Sequence, residues 1–219
     1  MQGNEEAALI VRARERGESY ALFARLLQSE VTRELLLNLR AWLQESCQDD
    51  PTEEGLSLLR RYLTSASQAG EARVLEELAA DYAGLFLNAG AAPVHPYESV
   101  YRSPANLLMQ EAWDEVRLTY AAHGLALSGE RREPEDHLGY EMEFMSHLCF
   151  RAIEACEAKD REAVQANLQS QREFLAKHLL LWAPQFSEEL FRNATTDFYR
   201  ALGGMVREFL REEKELSTN

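Results

Sequence analysis

Apolar residues recur along this chain at spacings of three and four almost from end to end, the period that lines one face of an α-helix. Leu9, Ala13, Tyr20, Phe23 and Leu27 predict a first helix over 5–28. A second is expected over 30–46 and a third over 53–68, with Pro51 and Thr52 as the start between them. Past Gly70, a fourth over 71–88 carries Leu75, Leu78, Tyr82, Leu85 and Phe86 on its apolar face. Ser103 and Pro104 read as the N-cap and first residue of a fifth helix over 104–123. Gly124–Arg132 is a loop, and Pro134 opens a sixth helix marked by Leu138, Met142, Met145, Cys149, Ala152 and Cys156. A seventh over 160–182 ends at Pro184. The last runs over 186–214, with Gly203-Gly204 expected to weaken or bend it. The pattern predicts an all-α protein: one helical bundle domain over 1–219, of seven to nine helices and without a sheet.

The helical period breaks between Asn88 and Pro104, where Pro93, Pro96 and Pro104 crowd the segment NAGAAPVHPYESVYRSP. Proline lacks a backbone donor and turns its predecessor away from helix, so this is a long ordered loop. Loops this long in a compact domain are often functional, and it is the one candidate domain boundary or hinge. Tyr97 and Tyr101 beside prolines suit peptide recognition, and they equally suit packing of the loop onto the bundle. The second unusual segment is EPEDHLGYEMEFMSH, from Glu133 to His147. With a helix opening at Pro134, Glu135 and Asp136 fall in its first turn, where carboxylates meet the positive end of the helix dipole. His137 and Glu141, four apart, would then touch on one face. A capped helix start with such a pair accounts for this spacing as readily as a binding site does.

Composition narrows the choice. With 219 residues the chain is long enough for one core, and 11 glycines and 6 prolines are few for a many-stranded sheet. The 23 basic and 37 acidic residues leave a formal net charge of −14, which disfavours nucleic acid and anionic membranes and favours a basic partner. Cys47, Cys149 and Cys156 are too few and too far apart for a disulfide framework, and fit a reducing compartment. Cys149 and Cys156 lie about 10 Å apart along one helix, beyond disulfide reach. The N-terminal residues show no export signal and the longest apolar run is Leu179–Ala183, so the chain is expected to stay in the cytoplasm without membrane insertion. There is no Glu-x-x-His, Cys-x-x-Cys, phosphate loop or nucleophile elbow. No catalytic residue, metal ligand or bound cofactor is therefore expected.

Four segments together resemble the TorD/DmsD/NarJ family, the chaperones of molybdopterin-containing reductases. They are Asp81-Tyr82 through Leu85-Phe86; Pro96-Tyr97-Glu98-Ser99-Val100-Tyr101; Glu133-Pro134-Glu135-Asp136-His137 with Glu141-Met142-Glu143-Phe144-Met145; and Phe174 to Trp182 with Pro184 and Phe186. They cover most of the chain in the family's order. The resemblance implies an all-α, non-enzymatic protein that binds the twin-arginine leader of a partner reductase and protects the apo form of its catalytic subunit while the molybdenum cofactor is inserted. The family's Glu-Pro-x-Asp-His segment and the loop before it imply a leader-binding groove at Glu133, Asp136 and His137, with Tyr20, Phe86, Pro96, Tyr97, Ser99 and Glu141 around it. An arginine pair needs carboxylates beside apolar surface, and Asp136 and Glu133 beside Phe86 and Tyr97 would meet that need. The family includes monomers and domain-swapped dimers, and the loop over 88–104 would permit a swap. Two other readings remain: an interaction module for a client without an export leader, and a weak nucleotide-binding protein.

Overall fold

The computed structural model of the chain describes residues 2–46, 54–67, 70–128 and 133–218. Cys47, the expected helix start at Pro51 and Thr52, and the last part of the Gly124–Arg132 loop lie outside them. The fold is all-α, as the periodicity predicts. Its helices are α1 (Gln2–Gln28), α2 (Arg33–Ser46), α3 (Glu54–Ala66), α4 (Glu71–Phe86), α5 (Glu98–Arg102), α6 (Glu111–Ala122), α7 (Leu138–Glu157), α8 (Arg161–Phe174), α9 (Leu180–Asn193) and α10 (Asp197–Thr218). A π-helical turn, Leu175–Leu179, joins α8 to α9 without a break, so the described residues form nine separate helical runs. The one pairing of extended backbone among them is an isolated antiparallel bridge between Tyr97 and His137.

Two compact units share the chain. The first comprises residues up to 28 and 97–182. Its main contact is α1 along α7, followed by α7 against α8. Tyr20, Leu27, Met142, Met145, Cys149 and Ala152 are fully buried here, which accounts for the stripe along α7. Gly139 lets α1 approach: a Cβ there would lie 2.6 Å from Gln28 Cγ and 3.2 Å from the Ala24 carbonyl oxygen. Cys149 and Cys156 are buried free thiols on α7, small core residues as their spacing predicts. Lys159, at φ 58°, ends α7, and the Asp160 carboxylate accepts from Ala163 N–H to start α8.

The second unit comprises 29–96 and 183–219. Its principal contact is α3 against α10. Gly203-Gly204 does not break α10; it is where that helix touches its neighbours. A Cβ at Gly203 would meet the Ser187 carbonyl oxygen at 2.7 Å, and one at Gly204 would meet Gly55 Cα at 3.0 Å. Close packing offsets the conformational cost of two helical glycines. Asp81 on α4 ties the start of α10 in place: its carboxylate accepts from Thr195 N–H, Thr196 N–H and Thr196 Oγ1–H at 3.1, 2.8 and 2.7 Å.

Three expectations change. The eighth helix does not run unbroken from 186: the chain leaves helix after Asn193 and re-enters at Asp197, with Thr196 Oγ1 accepting from Tyr199 N–H. A Thr-Thr-Asp start is short and easily lost inside an amphipathic stripe. Pro184 does not end a helix but sits inside α9. Leu180, four residues earlier, has ψ −13°, which tilts its carbonyl away from the ring. The fifth helix does not begin at Ser103-Pro104. The short α5 lies within the expected loop, and the chain then turns through Asn106 and Met109, both at positive φ, before α6 begins at Glu111. The loop over 88–104 contains one of the three passages between the units, at Pro96–Tyr97. The other two fall after Gln28 and after Trp182.

Candidate functional site

In the first unit, the two irregular segments singled out in the sequence lie against each other. Glu98 N–H donates to the Asp136 carbonyl at 3.0 Å, and Tyr97 bridges His137. This extended pairing explains why α7 starts at Leu138 and not at Pro134. His137, at ψ 130°, is its N-cap, and Nδ1 accepts from Gly139 N–H at 3.0 Å. Glu135 and Asp136 therefore precede the helix, and His137 and Glu141, four apart, are joined through the backbone, Glu141 N–H donating to the His137 carbonyl at 3.1 Å. Only Glu141 occupies the first turn.

Asp136 is fully buried, and its Oδ2 accepts from Ser99 N–H at 2.8 Å. It caps the start of α5 from a distant part of the chain, as a local Asx residue would. Burial raises its pKa, opposed by the hydrogen bonds from Ser99. Glu98, also fully buried, accepts from Arg102 Nη1 at 2.6 Å and from His178 Nδ1–H at 2.8 Å. Glu141, again fully buried, accepts from Trp182 Nε1–H at 3.2 Å. Burial first, then the neighbouring Glu98 and Asp136, hold the Glu141 carboxyl well above the ordinary glutamate range. Glu141 thus keeps its proton. The π-helical turn matters here, because its extra residue sets the register in which His178 and Trp182 both face these carboxylates.

Glu133 is exposed, and Tyr97 O–H donates to its Oε2. Burial, then Glu133, pushes the Tyr97 hydroxyl well above its ordinary value. Trp113 Nε1–H donates to Glu135 Oε2 at 2.6 Å, and Tyr120 O–H to the Glu135 carbonyl at 3.3 Å.

The structure brings together Tyr97, Ser99, Glu133, Asp136, His137 and Glu141 of the residues singled out in the sequence. Tyr20 is wholly buried in α1. Pro96 directly precedes Tyr97, as the last residue of the second unit's segment. Phe86 belongs to that second unit, in an aromatic cluster with Tyr82, Phe186 and Tyr199. Of the six gathered residues, only Glu133 and Tyr97 present side-chain surface; Asp136, Ser99 and Glu141 work inward. Sequence reading passed over Glu98, Arg102 and His178 as site residues. A Glu-x-x-x-Arg pair was visible, but nothing local marks His178 as a partner 80 residues away. Among the described residues, no group of three or more His, Cys, Asp and Glu side chains is placed to hold a metal ion.

Burial lowers the His137 pKa to about 3. The sign follows directly. Between pH 6.5 and 3 the unfolded chain binds a proton at this ring that the folded chain refuses, so acidification through that window favours unfolding. The slope is about 1.4 kcal/mol per pH unit while this group dominates. Glu141 acts in the opposite sense, since its folded form holds the extra proton. His137→Asn keeps an N-cap acceptor and removes the titration. Its denaturant midpoint is expected to fall less steeply than the wild type's from pH 6.5 to 4. Parallel curves for the two proteins would mean that the imidazole is protonated in the fold.

Helix packing throughout, with an acidic and aromatic segment fastened across a helix start, defines an all-α class of protein. The chain belongs to the nitrate reductase delta subunit family, a family of molybdoenzyme-maturation chaperones, whose model matches residues 45–188. It is similar to the chaperone protein TorD of Vibrio cholerae serotype O1, at 28% identity over 196 residues, 90% of this chain and 86% of that one. The chaperone protein TorD of Aliivibrio fischeri is 25% identical over 202 residues, 90% of this chain and 92% of that one. That of Photobacterium profundum is 28% identical over 192 residues, 85% and 87% of the two chains. No described helix is long and apolar enough to cross a membrane.

Proposed function

We propose that this protein binds, in the cytoplasm, the twin-arginine leader and the apo form of a molybdopterin-dependent oxidoreductase catalytic subunit. It would hold that client until the molybdenum cofactor is inserted and export can follow, and it would act by binding, not by catalysis. One observation carries the reading: the Tyr97–Arg102 and Glu133–Glu141 segments are latched together, with the exposed Glu133 beside the Tyr97 ring. A guanidinium followed by apolar residues needs a carboxylate beside aromatic surface. The net charge of −14 adds long-range attraction for a basic leader. Family membership and relatives named as chaperones support the same reading.

Calorimetry with the leader of the native client tests it. Wild-type protein is expected to bind in the micromolar range or tighter. Glu133→Gln removes one charge-assisted contact, worth about 1.5–3 kcal/mol, and should weaken binding roughly tenfold or more. Asp136→Asn should also weaken it, through loosening of α5, because Asp136 is buried and holds Ser99. Added salt should weaken binding only in part, since burial of the leader's apolar stretch is unscreened. Unchanged affinity in both variants would show that the acidic segment serves the fold alone. Capture of a client without an export leader would favour an interaction module of the same fold.

A further inference from the structure

Among the described residues, Arg102 is the guanidinium that the site already contains. Its Nη1 lies 2.6 Å from Glu98 Oε1 and 3.0 Å from Glu115 Oε2, bridging a fully buried carboxylate on α5 and a half-exposed one on α6. An i,i+4 pair on a helix surface is ordinary and contributes little. This one differs in two ways. Glu98 has no exposed surface of its own, so the Arg102 side chain, 30% exposed, lies between it and solvent. Both contacts fall on a single nitrogen, whereas a guanidinium offers a five-donor fork that engages carboxylates two bonds at a time. Arg102 thus holds one oxygen of each carboxylate and neither of them through two bonds.

We propose that Glu98 and Glu115 form a guanidinium-binding site, which Arg102 fills in the free protein and an arginine of a partner chain takes over on binding. Arg102 is then an internal competitor. It keeps Glu98 paired while no partner is present, and so avoids a buried uncompensated charge. When it swings out, its long side chain returns to solvent with its charge hydrated. Tyr97 and Glu98 are consecutive, so the Glu133 edge and this site lie on one short stretch of chain. A partner with two adjacent arginines matches that arrangement. The identity of that partner rests on the leader reading above; the site itself does not.

The test has two arms on the full-length protein. In the first, Arg102→Ala is melted with millimolar methylguanidinium, and with methylammonium at equal ionic strength. Arg102→Ala is expected to melt a few degrees below wild type. Methylguanidinium should restore most of that loss and methylammonium little, and the rescue should shrink when Glu115→Gln is added. Equal effects of the two cations, or equal effects of methylguanidinium on wild type and variant, overturn the site. If Arg102→Ala does not fold, Arg102→Gln serves in its place. In the second arm, a synthetic leader with adjacent arginines and its Lys-Lys counterpart are titrated into wild type and variant. The variant, freed of its competitor, should bind the arginine leader about threefold to tenfold tighter and discriminate more strongly against lysine. Weaker binding of the arginine leader to Arg102→Ala would mean that Arg102 contacts the partner and does not compete with it, and would overturn the proposal. Rescue by methylguanidinium with no leader binding by either protein would uphold the site and sink the leader reading.

Discussion

Replacing Asp81 by alanine is expected to destabilise the protein by about 3–5 kcal/mol, which for a chain of this length is roughly 10 °C in melting temperature. Asp81 is 5% exposed, and its two oxygens take three donors from the start of α10. Alanine leaves the Thr195 and Thr196 amides and the Thr196 hydroxyl without acceptors in a place water reaches poorly. Each buried orphan costs about 1–3 kcal/mol, less where partial exposure lets water in, as at Thr195. Asp81→Asn retains an acceptor but turns an amide NH2 toward donors, so it should fall between alanine and wild type. Thermal unfolding followed by circular dichroism measures all three. A shift under about 2 °C for Asp81→Ala would show that α10 is positioned by its apolar contacts alone. The same clamp explains a feature of the family resemblance, in which Asp81 stands at the end of a helix where its charge has no local use. Its use lies 114 residues on, where it defines the break between α9 and α10.

Glu98→Ala is expected to cost about 3–5 kcal/mol as well, by a different route. The substitution leaves the His178 ring N–H without its acceptor in the interior and takes the buried carboxylate from Arg102. Removing one member of a buried pair is costly because the other stays desolvated. Removing both members with apolar residues of similar size is far milder. The double variant Glu98→Leu/His178→Leu is therefore expected to recover a large part of the loss shown by Glu98→Ala. Urea denaturation of Glu98→Ala, His178→Leu and the double variant gives the comparison. If the double variant is as unstable as the sum of the two single changes, the pair is not the unit assumed here, and Glu98 is held chiefly by Arg102.

A network of this kind explains why buried acids persist in the first unit. Apolar residues would pack there at similar stability, yet they would not hold the Tyr97–Arg102 segment in one register. Asp136 fixes α5 through Ser99, and Glu98 fixes it to His178 through a side chain. Both anchors lie on one five-residue helix, which is too short to be stable without them.

The sequence by itself determined the all-α class, because a period of 3.6 in apolar residues survives any arrangement of the helices. It determined most helix limits near Gly70, Gly124 and Asp160, where backbone chemistry is local. It also marked the two segments that meet, through their prolines and their clustered acids and aromatics. What it left open depended on partners far along the chain. Whether Asp136 faces solvent or Ser99, and whether Glu98 is a surface pair or a buried hub, rests on residues dozens of positions away. The start of α7 was misplaced because Pro134 is a good first residue of a helix by local rules, while the bridge from Tyr97 to His137 held those residues extended. Pro184 and Gly203-Gly204 read as breakers by propensity alone. Tertiary packing decided otherwise: the tilted Leu180 carbonyl accommodates the proline, and the missing Cβ atoms let α10 approach Ser187 and Gly55. Propensities of about 1–3 kcal/mol per residue are outweighed once a close helix contact depends on the residue in question.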